Sequence, residues 1–497
     1  MILPIAESPI TGLVDEAFPL IVALTDDRPW DWFYSNYIQI ALKNDERRGY
    51  NIRFYKTDHC GVIWDTMNPW IKYNTIDVKL LRELGMGIID FTVRSVDSGY
   101  YLSVYLDRFY VPGTRNAAQS HLTHEALVFG YEAETRLIYL MEYQGAYLTA
   151  FTMDYDAFAQ AYAHADEKRC DAIRLLRPDT ERRYLFDLQN VYEQMSDYLY
   201  SRNTTLRYRS HFNPIQTPFF VLGMDAYREV KRLLAYDHLQ NDYRVFNSIW
   251  EHKKVMTARI RYMAERNIAE GIGDFLPLCE ETENLSYLVK SQYMKFTVTQ
   301  KEKTLQTVCA LFDEMVGKEQ TLIAGLLVTI QRQLDVQQPD NPGVWISRHD
   351  FVQGTHALDT PPAKRLRITF DIIPQHDVID GVIGYGDSLS APVGYSAMKW
   401  LIRLHPDGFI LARNGDRYEA VQPIRYTRGA CCHAEITVDF GRQTYDARVS
   451  CGPGTDVLAD GYAFGPDARR ADDLAWVTLT ADLGTAYHIE HHTVTAG

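Results

Sequence analysis

The sequence predicts an α+β chain in three parts: a mixed region first, a nearly all-helical region next, and an all-β sandwich last. Three changes of pattern carry this reading. Up to about residue 178, apolar residues alternate between helical and strand spacing. From 179 to 338 they recur at three and four. From about 364 the period becomes two.

In the first region Asp26, Asp27 and Pro29 are helix-start signals, and Trp30, Phe33, Tyr34, Tyr37, Ile38 and Ala41 follow at helical spacing. Runs rich in β-branched and aromatic residues come next, Gly87 to Val93 and Tyr101 to Leu106, and they read as strands. Ala126 to Tyr131 and Leu137 to Tyr143 flank a turn at Glu132 to Thr135 and form a hairpin pattern. In the second region Val245, Ile249, Met256, Ile260 and Met263 make one apolar stripe. Leu285, Leu288, Val289, Tyr293 and Phe296 make another. Leu305 to Met315 and Leu322, Leu326, Ile330 and Leu334 complete the set, so these helices must pack on one another or on the first region.

Gln337 to Gly343 and Pro361-Pro362 break the pattern, and 339–363 reads as a linker. Beyond it Leu366, Ile368, Phe370 and Ile372 alternate with polar neighbours, as do Ala434, Ile436 and Val438, and Val477 and Leu479. Short strands between Gly, Asp and Pro turns make 364–497 a β-sandwich.

The 497 residues, 46% hydrophobic and 23% charged, have an ordinary globular composition, which excludes disordered, collagenous and low-complexity classes. A net charge of −14 without a basic stripe argues against nucleic acid or an anionic membrane as partner. Met1 to Ile10 lack the pattern of a signal peptide, and the longest apolar run, Leu322 to Ile330, is too short to span a bilayer. The seven cysteines, at 60, 170, 279, 309, 431, 432 and 451, form no CxxC pair. Reduced thiols in a soluble cytoplasmic protein are the expectation. Walker, GxGxxG, HExxH and GxSxG patterns are absent, so no nucleotide cofactor or serine-hydrolase chemistry is expected.

The chemistry points to His124. It lies at the start of an apolar strand, Ala126 to Tyr131, and Glu142 lies on the returning strand about opposite it. A strand-borne imidazole with a carboxylate neighbour is how papain-like folds mount a general base and its orienting partner. Asp107, in Leu106 to Pro112, is a second candidate partner. The structural alternative is a strand-edge histidine with no catalytic part. Papain-like enzymes place their thiol at the N-terminus of an early helix. Here that segment, Gly12 to Leu20, carries Asp15 and Glu16 instead, which are candidates to polarise or orient the reacting groups, and Cys60 is the one cysteine upstream of His124. Cys60 is a candidate nucleophile or a half-buried thiol in a turn; Cys170, Cys279 and Cys309 read as packing residues.

No metal is expected, because His121 and His124 would face opposite sides of a strand and zinc needs three or four convergent ligands. His488, His491 and His492 read as surface histidines. In Trp250 to Lys254, His252 reads as bonded to a neighbouring helix, and Glu251 with Lys253 or Lys254 as a solvated charge cluster. Asp380 to Tyr385 and Arg413-Asn414-Gly415 suit either a calcium or carbohydrate edge or simple hairpin turns.

Residues 8 to 265 resemble the family of butirosin biosynthesis protein H, through Ala17 to Leu20, Trp32 to Gln39, Asp107 to Pro112, His121 to Tyr131 and Trp250 to Lys254. The resemblance implies a papain-like domain at 1–178 with a helical extension. It also implies transfer of an acyl group from a carrier-protein thioester to an amine, with His124 as base and Glu142 as its partner. The sequence departs from that family where its early cysteine would stand, near Asp15. The expectation is therefore a natural-product tailoring enzyme acting on a peptidyl or aminoacyl group, its partner an acyl or peptidyl carrier protein, its substrate a small molecule or peptide. The alternative is a non-catalytic binding or scaffold protein. A second resemblance, over about 364 to 494 through Asp380 to Tyr385, Tyr395-Ser396, Gly408, Arg413 to Gly415, Tyr418, Tyr426, Thr444-Tyr445 and Ala463-Phe464, is to concanavalin-like jelly-roll modules; it implies a fold, with glycan binding as one use and no particular ligand.

Overall fold

The computed structural model describes residues 1–45, 49–55, 68–145, 147–166, 171–204, 220–235, 239, 242–336, 344–347, 355–358, 363–387, 398–468, 474–481 and 485–497. They fall into two units, 1–331 and 332–497.

The first unit opens with α1 (Val14–Ala23), α2 (Trp30–Asn36), β1 (Ile40–Asp45) and β2 (Gly49–Phe54). Then come β3 (Ile71–Asp77), α3 (Val78–Glu83), α4 (Ile88–Asp97) and β4 (Tyr101–Asp107). The expected hairpin is β5 (Thr123–Glu132) and β6 (Leu137–Gln144), followed by β7 (Tyr147–Asp154), α5 (Tyr155–Ala163) and β8 (Ala172–Pro178). The helical part holds α6 (Leu188–Leu199), β9 (Phe220–Leu222), α7 (Gly223–Ala235), α8 (Arg244–Glu265), α9 (Leu276–Thr299) and α10 (Glu302–Val336). Asp77, Asp154 and Asp187 cap α3, α5 and α6 by accepting backbone N–H groups of the first turn.

Six strands form one antiparallel sheet in the order β3-β8-β4-β5-β6-β7, and β2-β1-β9 form a second. Phe18, Leu20 and Val22 of α1 share a core with Leu102, Val104, Val128 and Leu140 of the sheet and Phe158 of α5. Burying side chains of this size contributes roughly 1.5–3 kcal/mol each.

Three expectations for this unit change. Gly87 to Val93 is not a strand: Gly87 stands at the N-cap of α4, which buries Ile88, Thr92, Ser95 and Val96 at helical spacing. The β-branched residues misled, because burial of one helical face outweighs their propensity. The helix begun at Trp30 ends at Asn36, and Ala41 lies in β1. Its final carbonyls are taken by side chains, Ser35 O by Asn190 and Gln194, and Tyr34 O and Tyr37 O by Arg259. In α9, Leu288 is exposed while Leu285, Val289, Tyr293 and Phe296 are buried.

The second unit is an antiparallel sandwich. Its strands are β10 (Trp345–Ile346), β11 (Thr355–Leu358), β12 (Arg365–Pro374), β13 (Gly381–Asp387), β14 (Trp400–Leu404) and β15 (Phe409–Asn414). They continue with β16 (Arg417–Arg425), β17 (Cys432–Asp439), β18 (Thr444–Ser450), β19 (Asp456–Ala463), β20 (Leu474–Thr480) and β21 (Tyr487–Ala496). One sheet runs β10-β21-β12-β17-β18-β19 and the other β11-β20-β13-β14-β15-β16. The period-two residues Leu366, Ile368, Phe370 and Ile372 all face the core, beside Ala434, Ile436 and Val438. The stretch expected as linker instead supplies β10 and β11, which pair with β21 and β20.

Of Arg413-Asn414-Gly415, the first two end β15 and Gly415, at φ 58°, makes the tight turn to β16 with Asp416. Reduced thiols throughout are not what is found. Cys432 and Cys451 form a disulfide, one step beyond the His433–Ser450 pair of the β17–β18 ladder, with Cα atoms 4.1 Å apart. Strand pairing brings together two residues whose separation of 19 hides them in the sequence. The terminal histidines are not all at the surface either: His488 is buried and His492 turns inward to Tyr385, while His491 is exposed. No described helix is long and apolar enough to cross a membrane.

Candidate functional site

The hairpin of β5 and β6 sets His124 near Glu142. His124 Nδ1 is 3.1 Å from Glu142 Oε1 and 3.1 Å from the Glu125 carbonyl, and Nε2 has no hydrogen-bond partner among the described residues. The imidazole is 29% exposed, whereas Glu142 is almost fully buried. Arg108, from the turn after β4, closes a bidentate pair on Glu142 at 2.6 and 2.6 Å, a contact that sequence reasoning did not anticipate. Burial alone would raise the Glu142 carboxyl; hydrogen bonds from His124 and Arg108 outweigh it and hold the group below its ordinary value. Glu142 is therefore an anion that fixes the ring through Nδ1 and leaves Nε2 for exchange of a proton.

Asp107 does not serve His124. Its Oδ2 is 2.6 Å from His121 Nδ1, and its Oδ1 accepts the N–H groups of Phe109 and Leu122. The register explains this: Leu106 pairs with His124 and Asp107 with Thr123, and neighbouring strand residues face opposite ways. Burial raises the Asp107 carboxyl, but the bonds from His121 and the two amides more than offset it and leave it lowered. His121 precedes β5 and stacks on Phe109 at 4.6 Å.

The first turn of α1 carries Asp15, half-exposed and 3.3 Å from Arg53, and the buried Glu16. Cys60 lies outside the described residues, and so does Cys170. Cys279 is buried and its thiol is pushed up to about 12, chiefly by burial; Cys309 is raised for the same reason. Neither is an activated thiolate.

Two further residues complete the site. Tyr143, next to Glu142, donates its hydroxyl to the Thr11 carbonyl at 2.6 Å, and its ring meets His124 edge-on at 5.9 Å. Burial, and then the charge of Glu251, raises the Tyr143 phenol, so it is a donor and not a phenolate. Glu251 of α8 accepts from Thr11 N–H at 2.8 Å, Thr11 Oγ1 at 2.9 Å and Gly12 N–H at 3.1 Å. Tyr143 was visible only as a strand aromatic; its polar end needs the fold to be seen.

The expectation of a solvated cluster at Trp250 to Lys254 is overturned. Glu251, His252 and Lys253 are all buried. His252 Nε2 donates to the Ile38 carbonyl at 2.7 Å, which fixes the other nitrogen as the acceptor for Lys253. Burial, then the charge of Lys253, drives the imidazole well below its ordinary range, so it is neutral. Its acceptor is a loop carbonyl after α2, not a neighbouring helix.

Among the described residues no group of three or more His, Cys, Asp and Glu is placed to hold a metal ion. No family model matches the chain, and no curated protein matches it. Among solved structures it is similar to a sialidase, 14% identical over 29% of this chain and 14% of that one, with a TM-score of 0.23. It is also similar to arcelin-5, a lectin-like defence protein from Phaseolus vulgaris, 6% identical over 31% of this chain and 93% of that one, with a TM-score of 0.23. An alginate lyase from Alteromonas sp. 272 is 9% identical over 32% of this chain and 91% of its own, with a TM-score of 0.21. The chain spans only 14% of the sialidase and 28% of a xylan β-1,4-xylosidase from Bacillus halodurans. Likeness at this level transfers no activity.

Proposed function

We propose that the first unit is a papain-like enzyme of natural-product assembly that acts on a peptidyl or aminoacyl thioester, with His124 as its acid and base. The observation behind this reading is the geometry of one imidazole: Nδ1 3.1 Å from the buried Glu142 carboxylate, Nε2 without a partner among the described residues. In the step we infer, Nε2 accepts a proton from an acceptor amine or water as its nitrogen or oxygen bonds the acyl carbon. The carbon–sulfur bond then breaks, and the same proton passes to the departing thiolate. Glu142 orients the ring, Arg108 holds Glu142, and no side-chain nucleophile is required. Asp15, Glu16 and Cys60 carry no step in this scheme.

The substrate arrives, on this reading, on an acyl or peptidyl carrier protein, and the sandwich is a concanavalin-like jelly roll that docks a glycan or a partner. A cytoplasmic setting belongs to the same proposal, and the Cys432–Cys451 bridge weighs against it. The test is turnover of aminoacyl and peptidyl thioesters, free and carrier-bound, by the full chain and by His124→Ala. Loss of about 10²–10⁴ in rate supports the assignment; equal rates remove it. A second reading, a non-catalytic binding protein, is favoured by the ion pair of Asp15 with Arg53 at the head of α1. Absence of thioester turnover by the wild type selects that reading.

A further inference from the structure

Glu251 sits on α8, 240 residues from the turn that it holds. Its two oxygens receive three donors: Thr11 N–H and Thr11 Oγ1 on Oε1, and Gly12 N–H on Oε2. The fit is close enough that a side chain at position 12 would have to push the carboxylate aside. A Cβ added to Gly12 would lie 2.8 Å from Glu251 Oε2 and 2.9 Å from Asn247 Nδ2. The same turn faces the site on its other side, because the Thr11 carbonyl accepts the Tyr143 hydroxyl at 2.6 Å. Tyr143 in turn lies beside Glu142 in sequence and packs edge-on to His124 at 5.9 Å. Two residues after Gly12, α1 begins at Val14. One carboxylate on the helical part thus fixes a turn, and the turn fixes both a helix start and the aromatic wall of the imidazole.

We propose that Glu251 is a positioning residue, holding the Thr11–Gly12 turn so that Tyr143 stays beside His124. The inference rests on the reading of His124 as the acid and base of this unit. Charge-assisted bonds to backbone amides are the strong kind, and a buried carboxylate that lost them would be left unpaired, so the clamp closes in one arrangement. Glutamine at 251 keeps one acceptor oxygen and puts an N–H donor where the other oxygen meets a donor. Alanine at 12 leaves the carboxylate intact and displaces it.

The experiment uses the full chain and three variants, Glu251→Gln, Gly12→Ala and Tyr143→Phe, with Arg261→Gln on the solvent side of α8 as control. Hydrogen exchange is read at residues 11 and 12, and the ring resonance of His124 is assigned by its absence in His124→Gln. In Glu251→Gln and Gly12→Ala, exchange at the turn is expected to quicken about 10-fold, the loss of one hydrogen bond to a charged group. The His124 resonance is expected to move in both. In Tyr143→Phe the resonance moves while exchange at the turn changes far less. Unchanged exchange in Glu251→Gln and Gly12→Ala overturns the proposal, and so does faster exchange with an unmoved His124 resonance. Exchange in α9 serves as the internal record that each variant is folded. Neither readout needs turnover, so a wild type inert toward thioesters defeats the proposed function without touching this result.

Discussion

Lys253 Nζ lies 2.5 Å from Glu319 Oε1 where neither side chain reaches solvent. The ammonium also donates to Tyr227 Oη at 2.5 Å, and Tyr198 Oη lies 3.2 Å away, while Glu319 Oε2 has no partner among the described residues. Burial pushes Lys253 below its ordinary range, only partly offset by the charge of Glu319. The pair joins α8 to α10 through charges that each depend on the other.

Removing one partner should therefore cost more than removing both. Lys253→Met is expected to lose about 3–5 kcal/mol, since it strands a buried carboxylate. The double variant Lys253→Met, Glu319→Leu is expected to recover most of that. Urea unfolding of the first unit measures both, and equal losses in the two variants would contradict a buried ionic pair.

Glu142 ties stability to acid. Its folded carboxyl titrates below its ordinary value of 4.5, so its contribution is full above about pH 4.5 and fades as pH falls through the lower folded value. In Glu142→Gln the wild-type loss of stability below pH 4.5 should become shallower, with the variant already weaker at pH 7. Thermal midpoints between pH 3 and 7 decide this, and a parallel pair of curves would refute it.

The sandwich should respond to pH in the same sense, but in a higher window. Burial lowers His492 to about 4, and burial followed by the charge of Arg428 lowers His376 to about 4, against an ordinary 6.5. The unfolded chain then binds more protons than the folded one between about pH 4 and 6.5, so stability falls as pH falls across that window. The double variant His376→Gln, His492→Gln should flatten the slope there. Two imidazole resonances titrating near pH 4 in the wild type would give the same answer directly.

Cys432→Ser should destabilise the sandwich by about 3 kcal/mol through the freed loop of 19 residues. Reducing agent should lower the melting of the wild type toward that of the variant and leave the variant unchanged. Scanning calorimetry with and without reductant is the measurement.

Much of this architecture is legible in the sequence, and what escapes it has a common cause. The alternation at Leu366 to Ile372 and the stripe on α8 follow from one strand face and one helix face, which are local patterns. His124 and Glu142 were legible too, because a short hairpin joins them. The errors fall where distant segments decide the outcome. Gly87 to Val93 is helical because of what it buries; α2 stops early because Arg259, Asn190 and Gln194 take its carbonyls. Glu251 and Lys253 look like surface charges until the turn at Thr11 and the carboxylate at 319 are brought to them.

Helix α8 has a consequence for how this protein could be divided. It meets the Thr11 turn through Glu251, Ile38 through His252, Tyr34 and Tyr37 through Arg259, and Asp31 through Tyr262. A fragment ending near residue 178 would keep its six-stranded sheet on paper, yet its opening helices would lose every one of those anchors. Recombination that exchanged the front half alone would pass on a lock without its bolt.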